Sequence, residues 1–124
     1  MTERIAGPGP FLLLRDGRPV GPLLVADSAR TRARGLLGTT GVEGALWLEP
    51  CASVHMMGMR YPLDAATLSA DGTVLEVRTL RPWLGLTRPL RGARITVEAS
   101  AGFMAAHGIA PGCRLAVGSP ADQQ

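Results

Sequence analysis

Short apolar stretches, repeatedly broken by Gly, Pro and Asp, set the pattern of this chain. Phe11 to Leu14 form an apolar run, and the Asp16-Gly17 pair that follows is a hairpin signal. Residues 23–26 predict a second strand. Asp27 can cap a helix over 28–37, with Ala29, Ala33, Leu36 and Leu37 on one face and Arg30 and Arg34 on another. Gly38 ends it. Residues 45–48 predict a strand stopped by Pro50, and residues 51–61 read as extended. The clearest hairpin joins 63–69 to 73–79 through Ala70-Asp71-Gly72. Residues 81–90 are a Pro-rich loop. Over 94–99 the alternation puts Ile95, Val97 and Ala99 inward and Arg94, Thr96 and Glu98 toward solvent. Ser100 can cap a helix over 101–107. His107 stands at its C-terminal end, where the helix dipole favours a cation, and Gly108 stops it. Pro111-Gly112 turn into a last strand over 114–117.

About eight short strands with two short helices give an α+β class, mostly β. The expected architecture is a small, partly closed antiparallel β-barrel. Residues 1–10 are expected to be a flexible arm, 11–117 one β-rich domain, and 118–124 a polar tail.

Composition narrows this reading. A length of 124 residues suits one domain, and a 46% apolar fraction with net charge +3 argues against intrinsic disorder. The 16 glycines and 10 prolines fit many short elements joined by tight turns. All 13 basic residues are arginine, so no lysine exists for Schiff-base chemistry. The positive balance permits an anionic partner, although nucleic acid is disfavoured. No apolar run reaches the roughly 18 residues needed to cross a bilayer. The N-terminal stretch MTERIAGPGPFLLLRDG is not a signal peptide, so the chain reads as cytoplasmic. Cys51 and Cys113 have no zinc-type spacing and read as two buried thiols.

Four segments stand together in order: RARGLLG (32–38), HMMGMRYPLD (55–64), ADGTVLEV (70–77) and ITVEASAGFMAAHGIAPGCRL (95–115). Over residues 22–117 the chain resembles an uncharacterised bacterial and archaeal family, domain of unknown function 192. The resemblance implies a compact β-rich domain with short helices, and it implies no reaction. Members of that family commonly carry Trp-Met-Lys-Asn-Thr ahead of Pro-Leu-Asp. Here Met56, Pro62, Leu63 and Asp64 match, but the polar Lys, Asn and Thr positions do not. The family's late Gly-Asp is Gly112-Cys113 in this chain.

The densest chemistry lies in CASVHMMGM (51–59). In an extended strand, Cys51, Ser53, His55, Met57 and Met59 share a face, a soft donor set suited to Cu(I). Methionines filling core space explain the same residues. His55 is the best general-base candidate, and Asp64 is its natural orienting partner in a small hydrolase or lyase. Alternatively Asp64 anchors its turn through backbone N–H groups. No GxSxG or P-loop occurs. Between Glu76 and Glu98 there is no acid, yet Arg78, Arg81, Arg88, Arg91 and Arg94 fall there with Trp83. The leading expectation is a non-enzymatic small-ligand-binding or accessory domain without a cofactor. Its concave face would carry His55, Met57, Met59 and Asp64. Arg60, Arg81 and Trp83 would stand at the rim and meet a small anionic ligand.

Overall fold

A computed structural model describes residues 11–26 and 44–119. The N-terminal arm, the expected helix over 28–37, the Arg32-to-Gly38 segment and residues 120–124 lie outside the described residues. Among the described residues there are seven strands and one helix. The strands are β1 (Phe11–Arg15), β2 (Arg18–Ala26), β3 (Ala45–Leu48), β4 (Leu63–Ser69), β5 (Val74–Leu80), β6 (Ala93–Ser100) and β7 (Leu115–Gly118). One short helix, α1 (Phe103–Ala106), sits between β6 and β7. The fold is therefore mostly β with little helix among the described residues.

The turns act as the sequence implies. Asp16 and Gly17 both adopt positive φ, the two-residue geometry that pairs β1 with β2. The tight turn draws Arg18 to Pro22 into the ladder, so β2 starts five residues earlier than the apolar run suggests. Pro19 and Pro22 are tolerated because β3 pairs only with residues 23–26, leaving β2 a single neighbour at the prolines.

The strands form one sheet in the order β5-β4-β6-β3-β2-β1-β7. All neighbours are antiparallel except β2 and β3, which run parallel. No continuous ladder joins β7 back to β5, so the sheet is not closed. The two outer strands meet only at one corner. There Val74 N donates to Cys113 O (2.8 Å), Leu115 N donates to Gly72 O (2.9 Å), and Thr73 and Arg114 form an isolated bridge. Gly72 is required at this corner: it has φ +90°, and a Cβ would lie 2.2 Å from the Leu115 carbonyl oxygen.

Both sheet faces are covered. On the first, Leu13, Trp47, Ala66, Leu68, Val97 and Met104 belong to one apolar cluster. On the second, Leu46, Leu48, Met56, Met59, Ala65 and Leu80 form another, with segment 51–61 supplying its outer layer. This double coverage corrects the expected solvation of Glu98. Alternation along β6 holds, but the outward positions in mid-strand meet a second core. Thr96 (0% exposed) and Glu98 (4%) are buried, and only Arg94 and Ser100 near the ends of the strand reach solvent.

Residues 51–61 are not an extended strand. His55 makes a lone bridge to Leu86, Met59 N donates to Met56 O (2.9 Å), and Gly58 turns the chain at φ 89°. Ser100 ends β6 and does not cap α1, whose N-cap position is Gly102. His107 follows α1, and its ring packs on Phe103 with centroids 4.4 Å apart. Gly118 belongs to β7.

Candidate functional site

The Pro-Leu-Asp turn delivers Asp64 into β4, where alternation decides its surroundings. Leu63 and Ala65 pack in the second cluster, while Asp64 shares the opposite face with Ala66. Its carboxylate is buried (2% exposed) and fully engaged. Oδ1 accepts from the Thr79 hydroxyl (2.7 Å); Oδ2 accepts from Gly102 N (3.1 Å) and Met104 N (3.0 Å). Asp64 thus caps α1 from the neighbouring strand on the same face of the sheet, supplying the acceptor that local sequence does not. It bonds backbone N–H groups, as one sequence reading held, but those of a remote segment.

His55 lies in the other layer. It is exposed, and its Nδ1 accepts from Met57 N (3.3 Å). No hydrogen bond or ion pair joins it to Asp64, and the sheet stands between their two layers. The structure does not bring the dyad together. Nor does it align the soft donors. Met59 is buried (5%), Met57 is 66% exposed, and the Cys51 thiol is half-buried and bonds the Ser53 carbonyl (3.3 Å). The turn at Gly58 breaks the alternation that a shared face requires. Among the described residues no three His, Cys, Asp or Glu side chains gather as a metal cage.

The rim residues fare differently. Segments 54–57 and 83–87 pair as a narrow ribbon: Met56 N donates to Gly85 O (2.9 Å), Trp83 N to Met56 O (3.1 Å) and Thr87 N to Val54 O (2.9 Å). The Thr87 hydroxyl, buried beneath, accepts from Val54 N (2.9 Å). On this ribbon Trp83 is 57% exposed, and Leu84 (74%) and Leu86 (53%) project beside it. Arg60, Arg81 and Arg88 are exposed and make no hydrogen bond or ion pair with any described residue. The ribbon therefore presents exposed apolar side chains, with exposed arginines flanking them in sequence. Sequence reasoning named Trp83 and passed over Leu84 and Leu86. The available signal was Trp-Leu-Gly-Leu inside a Pro-bounded loop, where apolar residues have no strand or helix period to place them in a core.

Two other polar groups stand apart. Glu98 lies buried on the second face, and burial raises its carboxyl to about 7. Its Oε1 has no hydrogen-bond partner. At the β5–β7 corner, an open cavity of about 490 Å³ is lined by Asp16, Thr73 and Arg114 among others. There Asp71 accepts from Ser69 Oγ and Thr73 N and pairs with Arg114, and these hydrogen bonds hold its carboxyl well below the usual carboxylate range. These contacts tie the corner together and leave Asp71 no spare role.

Comparison with curated proteins yields no match. Two solved structures share the fold. A protein of unknown function from Novosphingobium aromaticivorans aligns with TM-score 0.72 at 22% identity, covering 86% of this chain and 83% of its own. A protein described as a putative transcription regulator from Sinorhizobium meliloti aligns with TM-score 0.73 at 20% identity, covering 90% of this chain and 96% of its own. At such identities the likeness shows the fold alone. The profile of the DUF192 family, described as an uncharacterized ACR, matches residues 14–117, nearly the whole described sheet. The chain is accordingly a member of the DUF192 family of uncharacterised proteins.

Proposed function

We propose that this protein is a non-enzymatic binding or accessory domain that meets a small anionic group through Arg60, Arg81 and Trp83. The observation that carries the reading is the ribbon of 54–57 and 83–87, which holds Trp83 in solvent close in sequence to arginines that form no ion pair with a described residue. A guanidinium free of partners offers a planar fork of donors to a carboxylate or phosphate, and an exposed indole adds an apolar platform. The sheet behaves in this reading as a partly closed barrel, with the Gly72–Leu115 contact as its corner and the ribbon on its outside.

Thermal unfolding in the presence of inorganic phosphate, citrate and glucose tests this. Phosphate or citrate is expected to raise Tm in a concentration-dependent way while glucose leaves it unchanged, because only a ligand of the native state stabilises by mass action. The double variant Arg81→Ala, Trp83→Ala should lose at least nine tenths of the shift. An equal shift in that variant would remove the rim assignment, and no shift with any anion would remove the anionic ligand.

A further inference from the structure

The loop of the ribbon is held in one shape. Gly85 N donates to Arg81 O (2.9 Å) and Leu84 N to Pro82 O (2.7 Å). A Cβ on Gly85 would stand 2.7 Å from the Leu80 Cβ and 2.8 Å from Arg81 N, so the bend needs glycine. Trp83 adopts φ 65°, a conformation that costs a bulky side chain roughly 1–3 kcal/mol. The result of this constraint is exposure: Met57, Trp83, Leu84 and Leu86 are all more than half open to solvent. Burying each such side chain is worth roughly 1.5–3 kcal/mol. A strained, pinned loop that keeps three of them in water, with Met57 on the paired segment, points to an external surface that covers them.

Charge identifies that surface. Arg60, Arg78, Arg81, Arg88, Arg91 and Arg94 are all exposed, and the chain carries no acid between Glu76 and Glu98. Of the acids that flank these arginines in sequence, Asp64 and Glu98 are buried and Glu76 is partly buried. The ribbon carries an exposed indole and two exposed leucines, and exposed arginines stand within two residues of them in sequence, at 81 and 88. Such a mixture fits a soft apolar layer under a sheet of negative charge, where Trp settles at the headgroup level and arginines meet phosphates. We propose that the ribbon docks on an anionic phospholipid bilayer surface. Trp83, Leu84, Leu86 and Met57 enter the headgroup–acyl boundary, and Arg60, Arg81 and Arg88 pair with lipid phosphates. No helix among the described residues is long and apolar enough to cross a membrane, and docking of this kind requires none. The proposal rests on the binding-domain reading above and names the partner of that same surface.

The full chain is to be mixed with vesicles of phosphatidylcholine alone and of equimolar phosphatidylcholine and phosphatidylglycerol, and followed by co-sedimentation and tryptophan emission. Trp47 is buried and bonds Glu49, so the emission change reports Trp83. Expected are binding and a blue shift with the mixed vesicles only, weakened by raising salt. Trp83→Asn with Leu84→Ser should lower partitioning at least tenfold, and asparagine tolerates the left-handed backbone. Arg81→Ala with Arg88→Ala should lower it several-fold without loss of fold. No partitioning into mixed vesicles, or equal partitioning of the Trp83→Asn, Leu84→Ser variant, overturns the proposal, as does equal binding to phosphatidylcholine alone. A parallel titration with glycerol phosphate separates the two levels. Arg81-dependent binding of glycerol phosphate without vesicle binding defeats the bilayer proposal and keeps the anion reading. Failure of both defeats both.

Discussion

Asp64→Ala is expected to destabilise the protein by about 3–5 kcal/mol, the range for removing one side of a buried charged interaction. Three donors lose their acceptor at once: the Thr79 hydroxyl and the Gly102 and Met104 amides. The two amides sit at the start of a helix only four residues long, which has little stability of its own. Loss should therefore appear first as release of α1, with Met104 leaving the first cluster. Denaturant unfolding measures the total. Hydrogen exchange should show the Met104 amide deprotected well before that of Val97 in the central strand β6. Asp64→Asn keeps one carbonyl acceptor and should lie between alanine and the native residue. A change within about 0.5 kcal/mol, the usual range for surface substitutions, would show that the carboxylate does not hold the helix. The same variant distinguishes a structural acid from a catalytic one, since a catalytic acid can be removed with little loss of stability.

The second large effect belongs to Glu98 and depends on pH. Its carboxyl moves from 4.5 to about 7 on burial, so the native state holds the proton more tightly than the unfolded chain. Stability is then greatest below the unfolded value. It falls as pH rises between about 4.5 and 7, and it levels off above that. Each unit of separation corresponds to about 1.4 kcal/mol, which makes the full loss about 3 kcal/mol. Glu98→Gln should flatten this slope. Glu98→Leu should flatten it and also raise Tm at pH 8, by roughly 10 °C, because an ion buried without a partner gives way to an apolar side chain. Asp71 acts in the opposite sense: its carboxyl is lowered, so what it contributes is present above 3.8 and is lost as the solution becomes more acidic. Thermal unfolding of the native chain and Glu98→Leu across this range should give curves that converge at low pH and diverge toward pH 8. Parallel curves would mean that Glu98 is charged and solvated in the native state.

The parts of this fold that could be read from sequence are those set by local chemistry. Asp16-Gly17 and Asp71-Gly72 fixed two hairpins, and the apolar runs at 45–48 and 63–69 match β3 and β4 at both ends. The errors share a different cause. Alternation in β6 reports that its two faces differ, but not that segment 51–61 comes back to cover the second one. Glu98 consequently read as solvated. The methionines of 51–61 read as a strand because a turn at Gly58 looks the same in sequence as a strand glycine. Asp64 read either as a partner for His55, close in the chain, or as an acceptor for backbone N–H groups of its own turn; it accepts from backbone N–H groups, but β4 turns the carboxylate toward α1, 38 residues further on. The parallel pairing of β2 with β3 had no local signal, since it depends on the path of the intervening chain. Of the candidate site, Arg60, Arg81 and Trp83 are exposed, and His55, Met57, Met59 and Asp64 do not gather on one face.

The placement of the two cysteines has a redox consequence. Cys51 packs into the second cluster and its amide bonds Arg94 O on β6, while Cys113 packs into the first cluster and its carbonyl accepts from Val74 on β5. With β4 between those strands and the sheet between the two layers, the thiols cannot approach to the roughly 4.4–6.8 Å Cα separation that a disulfide needs. Oxidant can therefore add no covalent crosslink inside one molecule. The fold rests on non-covalent contacts, equally in a reducing or an oxidising compartment, and any disulfide found in a preparation joins two chains.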